Sequence, residues 1–395
     1  MTLPLAVALD GAGWHPAAWR EQNARPRDLF TARYWADLVR TAEDGGIDLV
    51  TIEDSLGLQS SAFGRPDDRV DQVRGRLDAS LIASFVAPLT NRIGLVPTIT
   101  TTHPEPFHVA TTVQTLDYAS RGRAGWRAQV SGSPFEAKHF GRREFPEFTI
   151  ESLRGPAGEA VLRELFDEAA DAIEVVRRLW DSWEDDAIIR DAATGRFIDR
   201  EKLHYIDFAG ERFSVKGPSI TPRSPQGQPL VAVLAHQTIP YELAARGADI
   251  VFGTPFDEAG ARGILGEIRD AESRVGRTGR PLEAWADVVV VLEETTAAAR
   301  AVLDRLDERA GAPLASDALV FAGTPADLVD LLESWRAVGY TGFRLRPARL
   351  PDDLRQIVEH VRPRVAAPAD APTLRERLGF EPAANRYTDT EENAA

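Results

Sequence analysis

Three polar side chains at alternate positions end one of the apolar runs in this chain. Arg127, Gln129 and Ser131 lie in the stretch GWRAQVSGS, and alternate positions of a β-strand share one face. Both faces of a parallel sheet are covered, so these side chains would not simply point to solvent. A cation, an amide and a hydroxyl on one face can hydrogen-bond the polar edge of a ligand. We therefore predict a binding site at this strand end.

Polar residues also end several other apolar runs. They are Asp54, Thr98, Thr100, His236, Gln237 and Thr238. Together with aromatic residues such as Trp14, they would form a ring of hydrogen-bonding groups suited to a flat heteroaromatic ligand. Some have a plainer explanation, because Asp54 can cap a helix and Thr98 and Thr100 suit any strand.

His15, in the stretch GWHPAAW, follows the first apolar run and lies between two tryptophans. The ordinary pKa of histidine suits acid–base chemistry near neutral pH. A lone histidine is more often structural, and the sequence reveals no partner for it. We predict His15, Arg127 and His236 as the candidate catalytic residues.

These residues need a fold that brings strand ends together. Apolar runs alternate with amphipathic segments eight times, as in an α/β fold of the (β/α)8 TIM-barrel type. The predicted strands cover residues 3–10, 47–54, 92–100, the run containing Arg127, 229–235, 248–253, 283–293 and 342–347. In such a barrel the reactive groups lie at the C-terminal ends of the strands, where the polar residues of this chain occur.

Two segments do not follow the alternation. Residues 184–223 are rich in turn-forming residues and too long for a tight connection, so we predict an insertion between helix 4 and strand 5. The chain then forms one barrel domain over 1–366. The tail over 367–395 starts rich in Pro and Ala and ends in polar residues, which indicates fraying.

The composition excludes several classes of function. The 395 residues include 46 Lys and Arg against 61 Asp and Glu, a net charge of −15, and no Cys. An acidic chain lacks the basic face that nucleic acid requires, and a chain without Cys has no disulfides or thiolate metal sites. With no signal peptide and no run of 18 apolar residues, we expect a cytoplasmic protein without a membrane partner.

Three common catalytic arrangements are also missing. No G-x-G-x-x-G motif follows a strand, and no G-x-S-x-G motif occurs, which argues against dinucleotide binding and hydrolase chemistry. His103 and His108 lack a third ligand at a suitable spacing, so we predict no metal site.

Long irregular segments across the chain resemble bacterial-luciferase-like flavin monooxygenases, in the branch of nitrilotriacetate, dibenzothiophene-sulfone and long-chain alkane monooxygenases. These segments are GWHP, TTTHPEPFHVATTVQTLDYASRGRAGW, SPFEAKHFG, LWDSWEDDAIIRD, HYIDFAGERFSVKGP, SPQGQPLV and TLRERLGFEPAANRY. The resemblance implies a (β/α)8 barrel that oxygenates a small organic substrate with O2 and reduced FMN. It also implies a separate NAD(P)H:flavin reductase and a homodimer or homotetramer.

The resemblance assigns cofactor binding to the polar strand ends. The residues are Asp54, Thr98, Thr100, Arg127, Gln129, Ser131, His236, Gln237 and Thr238. The chain departs from the family at Arg127, where relatives carry Asn, and at Phe166, where relatives carry a phosphate-binding Tyr. The loop after strand 5 carries Ala235, Gln237 and Pro240 in place of small residues and a Ser.

These departures leave alternatives open. Arg127 can compensate by placing a positive charge beside an anionic reduced flavin, and Arg163 or His236 can serve the phosphate. The pocket can equally have changed ligand, which would make the protein a deazaflavin-dependent oxidoreductase of the same fold or a flavin-free relative.

Overall fold

The computed structural model describes residues 2–62, 65–147 and 155–388. Its strands are β1 Leu5–Leu9, β2 Leu49–Ile52, β3 Gly94–Thr100, β4 Gly125–Gln129, β5 Ile188–Asp191, β6 Arg196–Ile198, β7 Phe208–Ala209, β8 Ser214–Val215, β9 Leu230–Leu234, β10 Ile250–Gly253, β11 Glu283–Leu292, β12 Leu319–Gly323 and β13 Gly342–Pro347. Eight parallel strands close a barrel in the order β1, β2, β3, β4, β9, β10, β11, β13. The predicted TIM barrel and all eight of its predicted strands are confirmed.

Helices cover the outside of this barrel. They are α1 Ala32–Asp44, α2 Ala79–Val86, α3 Pro106–Ser120, α4 Pro134–Phe140, α5 Pro156–Asp181, α6 Thr238–Gly247, α7 Glu258–Val275, α8 Thr296–Ala310, α9 Pro325–Val338, α10 Asp352–Gln356 and α11 Leu374–Arg377. Local sequence fixes several ends. The Thr324 side chain accepts a hydrogen bond from the backbone N–H of Asp327 at the start of α9, and α8 stops at Gly311, which has a φ of 76°.

A ninth strand, β12, joins the sheet beside β11. The first half of β11 pairs with β10, while its second half pairs with β12 in the register Val288↔Leu319 to Leu292↔Gly323. This segment is not among the eight predicted strands. The run LVFAG is only five residues long, is mostly half-buried and is flanked by Gly, Pro and Ser, so its pattern alone is weak.

Apolar side chains from the C-terminal tail close the opposite end of the barrel. Leu374, Leu378 and Phe380 are buried against strand residues such as Leu49 and Trp285. The approach is close enough to require Gly94, because a Cβ there would lie 2.7 Å from Leu374 and 2.8 Å from Leu49.

The described part of the tail is therefore packed and not frayed. Asn385 donates hydrogen bonds to the carbonyls of Asp181 and Trp183, both at 2.9 Å. Most of the polar end predicted to fray lies outside the described residues. The insertion between α5 and β9 forms two short antiparallel hairpins, β5–β6 and β7–β8. No helix in the described ranges is long and apolar enough to cross a membrane.

Candidate active site at the barrel mouth

A network of buried ion pairs lies inside the barrel beneath its mouth. Arg127 on β4 donates to Glu53 at 2.9 Å, and Arg344 on β13 donates to the second Glu53 oxygen at 3.0 Å. Arg344 also donates through Nε to Asp287 on β11 at 2.8 Å. Arg344 and Asp287 are completely buried, and Arg127 and Glu53 are nearly so. Three strands thus contribute charges to one cluster.

The network continues to the rim of the mouth. Arg346 donates to Asp287 at 2.8 Å and to Asp317 at 2.6 Å. His236 Nε2 lies 3.3 Å from Asp317, and its Nδ1 lies 3.0 Å from the Thr254 hydroxyl. The three arginines and three carboxylates form a chain of contacts from β4 to the half-exposed His236.

The charges of this network set its pKa values. Burial alone would raise the pKa of Asp287, but Arg344 and Arg346 outweigh burial and hold it below its ordinary value. Burial also opposes ionisation of Asp317, yet Arg346 lowers its pKa to about 2. Burial lowers the pKa of Arg127 to about 10, with Glu53 opposing and Arg344 and Arg346 adding to the decrease. All three groups are charged at neutral pH.

Five of the predicted cofactor-binding residues line one small cavity above this network. The cavity has a volume of about 90 Å³, and the five residues are Asp54, Thr98, Thr100, Gln129 and Ser131. Arg127 contacts two of these lining residues, donating to the Thr98 hydroxyl at 2.8 Å and to the Gln129 side-chain amide oxygen at 3.3 Å. The Nε of Arg127 is buried and has no hydrogen-bond partner among the described residues. The structure therefore brings these residues together around an incompletely paired cation.

Two of these side chains already have firm partners. The Asp54 carboxylate accepts from the backbone N–H of Ser55 at 2.7 Å and of Ala79 at 2.9 Å, as a cap would. The Ser131 hydroxyl donates to Glu136. Asp54 and Ser131 shape the cavity, whereas Thr98 and Gln129 present polar groups to it and bind Arg127. We call this space the Arg127 cavity.

The His15 side chain is buried, and both of its ring nitrogens are hydrogen-bonded. Its Nδ1 accepts from the backbone N–H of Ala17 at 3.1 Å, so its Nε2 carries the proton and donates to Asp307 at 3.0 Å. Burial lowers its pKa, against the opposing effect of Asp307. Both ring nitrogens are occupied, which favours a structural role over the predicted catalytic one.

The segment after β9 lies apart from the Arg127 cavity. His236, Gln237 and Thr238 are exposed, and Gln237 precedes α6 without a side-chain hydrogen bond to that helix. Of the three, only His236 is connected to the network, through Asp317. Burial lowers the pKa of His236, with Asp317 opposing.

Sequence reasoning missed most of the ion network. Glu53, Asp287, Asp317, Arg344 and Arg346 were not among the predicted residues. The available indication was a charge inside an apolar strand: Asp287 interrupts WADVVVVL, and the two arginines alternate with Phe343 and Leu345 in GFRLRP. Lone charges at such positions are buried and need partners.

Two further cavities open near the mouth. A larger one of about 440 Å³ is bordered by Trp14, His15 and the segments around Gln59 and Ala312. A smaller one of about 140 Å³ is bordered by His103 and three arginines, Arg142, Arg143 and Arg212. Pro104 borders both this arginine-lined cavity and the Arg127 cavity.

The sequence profile of the luciferase-like monooxygenases matches residues 12–342. The chain belongs to this family. It is 28% identical to N-acetyl-S-(2-succino)cysteine monooxygenase of Bacillus subtilis (strain 168), over 98% of each chain. It is 34% identical to nitrilotriacetate monooxygenase component A of Aminobacter aminovorans, over 73% of this chain but only 62% of that one.

Solved structures support the family's fold. Long-chain alkane monooxygenase superposes with a TM-score of 0.83 at 22% identity, covering 96% of this chain and 95% of the other. A riboflavin lyase, solved with modified FMN and riboflavin, superposes with a TM-score of 0.82 at 24% identity, covering 97% of each chain. The predicted resemblance to flavin monooxygenases of this branch is confirmed.

Proposed function

We propose that this luciferase-like protein is a two-component monooxygenase that uses reduced FMN and O2 to oxygenate a small organic substrate. A separate NAD(P)H:flavin reductase would supply the reduced flavin. Family membership supports the reaction class, and the Arg127 cavity is the observation that carries the cofactor proposal. Within the described ranges the buried Nε of Arg127 has no partner, as expected of a donor that binds an anionic ligand.

The residues at this cavity fit the polar edge of a reduced flavin. A reduced, anionic ring would gain a charge-assisted hydrogen bond from Arg127. The cavity of about 90 Å³ is smaller than typical ligand sites of roughly 300 Å³ or more, so it can take only one edge of a tricyclic ring. Thr98 and Gln129 hold the guanidinium in place, since both bind its Nη1.

A phosphate would be held next to this edge. The arginine-lined cavity meets the Arg127 cavity at Pro104, and His103 in its wall has a buried Nε2 without a partner in the described ranges. Phe166 packs against the apolar core, so it does not replace the tyrosine hydroxyl of relatives. Arg163 does not border the arginine-lined cavity, which makes it a weaker candidate than Arg142 and Arg212, although each of these is also paired with a glutamate, Glu105 or Glu164.

When bound, the reduced flavin supplies the electrons that activate O2. The chain contributes a fixed cation at Arg127, held by Glu53, Thr98 and Gln129. His236 is the group at the rim that can move a proton. Its lowered pKa leaves it neutral near pH 7, and Asp317 would stabilise it when it accepts a proton.

Anaerobic titration with reduced FMN and with the deazaflavin, followed by admission of oxygen, tests the proposal. We expect reduced FMN to bind, and oxygen to give a transient absorbance change distinct from that of oxidised flavin. Tight deazaflavin binding without an oxygen reaction would identify the deazaflavin-dependent alternative. Failure to bind either compound would identify a flavin-free relative.

The variant Arg127→Gln makes this test specific. We expect reduced FMN to bind about 10- to 100-fold more weakly, because hydrogen bonds to charged groups contribute about 1.5–3 kcal/mol. Arg246→Gln is the matched control, since Arg246 pairs with Asp167 on the outside of the barrel. Circular dichroism must show that Arg127→Gln is folded. Unchanged FMN affinity in a folded variant would make Arg127 purely structural.

We further propose that the protein is a cytoplasmic homodimer or homotetramer, with one barrel domain over residues 1–366. Leu81 and Phe85 support association, since they are one helical turn apart on α2 and both are exposed. Light scattering on the purified protein gives the particle mass, and a monomer at micromolar concentration would contradict the proposed assembly.

A further inference from the structure

The cavity of about 440 Å³ occupies the β1 side of the barrel mouth, and its size suits a small organic molecule. The loop after β1 forms one wall, including Gly11 and Trp14. Segments around Gln59 and Val73 form a second wall. A third wall is the segment after α8, which is mainly apolar and includes Ala312 and Leu314.

The charged groups that border this cavity are already paired. Arg69 donates to both oxygens of Asp71, at 2.9 and 2.7 Å, and to the carbonyl of Ala310 at 2.6 Å. Arg76 donates to both oxygens of Asp10 at 3.2 Å. A ligand carboxylate would therefore find no free cation in this wall and would lose its hydration without compensation.

The two side-chain amides that border the cavity, Gln59 and Gln72, are also hydrogen-bonded. Gln72 donates to the Ser61 hydroxyl at 2.6 Å. Gln59 donates to the carbonyl of Gly75 at 3.0 Å and accepts from the N–H of Gly75 at 2.9 Å. It is held against its own loop and does not offer a second strong contact to a ligand. The wall thus behaves as a largely neutral surface.

One donor in this wall lacks a partner. The Nε1 of Trp14 is buried and has no hydrogen-bond partner among the residues that the structure describes. The guanidinium of Arg346 lies 4.5 Å from the centroid of the indole ring, which fixes the orientation of Trp14. Buried donors are nearly always paired, so this N–H is suited to a ligand acceptor.

The cavity also lies next to the proposed cofactor edge. Asp10, Gly11, Gln59 and Val73 border both the cavity and a narrow cleft that reaches Glu53. Glu53 in turn binds Arg127. The cleft therefore connects the cavity with Glu53, the residue that binds Arg127.

We infer that this cavity binds the substrate, and that the substrate is neutral and bears a hydrogen-bond acceptor for the Trp14 N–H. Ketones, esters and amides belong to this class. Polycarboxylates such as nitrilotriacetate, named for one relative, do not. The role as substrate rests on the proposed function, whereas the binding preference does not depend on flavin.

Three probes of nearly equal size test the binding preference on the protein without flavin: acetophenone, ethylbenzene and benzoate. Ligand-observed NMR titration gives each affinity. We expect acetophenone to bind about two- to tenfold more tightly than ethylbenzene, the range of one net hydrogen bond. Benzoate should bind at least about tenfold more weakly than acetophenone, because its charge has no partner. Benzoate binding as tightly as acetophenone would overturn the inference.

The variant Trp14→Phe keeps an aromatic wall and removes the N–H. We expect this variant to bind acetophenone only as weakly as ethylbenzene, and its affinity for ethylbenzene to be unchanged. Trp183→Phe is the matched control, because the Trp183 indole donates to the carbonyl of Ser219 in the insertion. Equal weakening of both probes by Trp14→Phe would show that its N–H binds no ligand.

A second variant keeps the test decisive if Trp14→Phe does not fold. Ala312 is exposed at the cavity wall, so Ala312→Trp should fold and fill the space. We expect it to abolish acetophenone binding, and retained binding would place the probe elsewhere. None of these measurements uses flavin, so failure of the FMN titration and failure of this inference are distinguishable.

Discussion

The two sides of the barrel mouth differ in the number of buried charged side chains. On the side of β4, β11 and β13, three arginines and three carboxylates are linked, and all of them except Asp317 are buried or nearly so. On the β1 side, the charged groups that border the larger cavity are paired, and the Trp14 indole N–H has no partner among the described residues. Buried ion pairs are often no more stabilising than apolar residues of the same size. The charged side is therefore better explained by the proposed binding of an anionic cofactor edge, and the neutral side by the proposed uncharged substrate.

The largest loss of stability is expected when the central carboxylate of the ion network is removed. Asp287→Asn removes the carboxylate shared by Arg344 and Arg346, which are both buried. We expect a loss of about 3–5 kcal/mol in the free energy of unfolding, because two buried cations lose compensation. Urea denaturation followed by circular dichroism measures it.

An exposed ion pair provides the control for this prediction. Glu258 and Arg262 are one turn apart on α7, and both side chains are more than half exposed. Glu258→Gln should cause little measurable loss, since exposed pairs contribute little. If Asp287→Asn were equally harmless, the network would not depend on its central carboxylate.

A smaller effect tests whether the arginine-lined cavity binds the phosphate of the proposed cofactor. The double variant Arg142→Gln and Arg212→Gln removes two cations from the arginine-lined cavity. We expect reduced FMN to bind about tenfold more weakly and reduced riboflavin, which lacks the phosphate, to be unaffected. Anaerobic fluorescence titration compares the two. Parallel weakening of both flavins would place the phosphate elsewhere.

The smallest effect concerns His15, on the β1 side of the mouth, and the pH dependence of the protein's stability. Burial lowers the pKa of His15 below its ordinary value of 6.5, so the unfolded chain binds the proton more readily than the folded one. The contribution of His15 to stability is therefore full above about pH 6.5 and is lost as the pH falls below it.

The variant His15→Asn tests whether the stability contributed by His15 is lost as the pH falls. Its amide oxygen can still accept from the N–H of Ala17, but it does not titrate. We expect its Tm to fall less than that of the wild type between about pH 7 and pH 5, as followed by thermal denaturation. A parallel fall in both proteins would show that His15 does not contribute to acid sensitivity.

Particular residues show how far the sequence could be interpreted. The alternation of Thr98 with Thr100 and of Arg127 with Gln129 correctly predicted shared faces, because side chains alternate along any strand. Glu53 and Asp54 are adjacent at one strand end, and sequence reasoning selected Asp54. The structure uses Asp54 as a cap and Glu53 as the partner of Arg127.

The sequence by itself determined the eight barrel strands, the insertion, the family and the strand ends that meet at the mouth, since these follow from local periodicity and motifs. Only the tertiary structure decided which charges pair, because Arg127, Glu53, Arg344 and Asp287 are far apart in the chain and meet through barrel closure. It also decided the place of β12, whose five residues form a strand by pairing with the second half of β11. Local sequence encodes strand and helix formation, whereas the free energy of burying a charge depends on neighbours that only folding brings together.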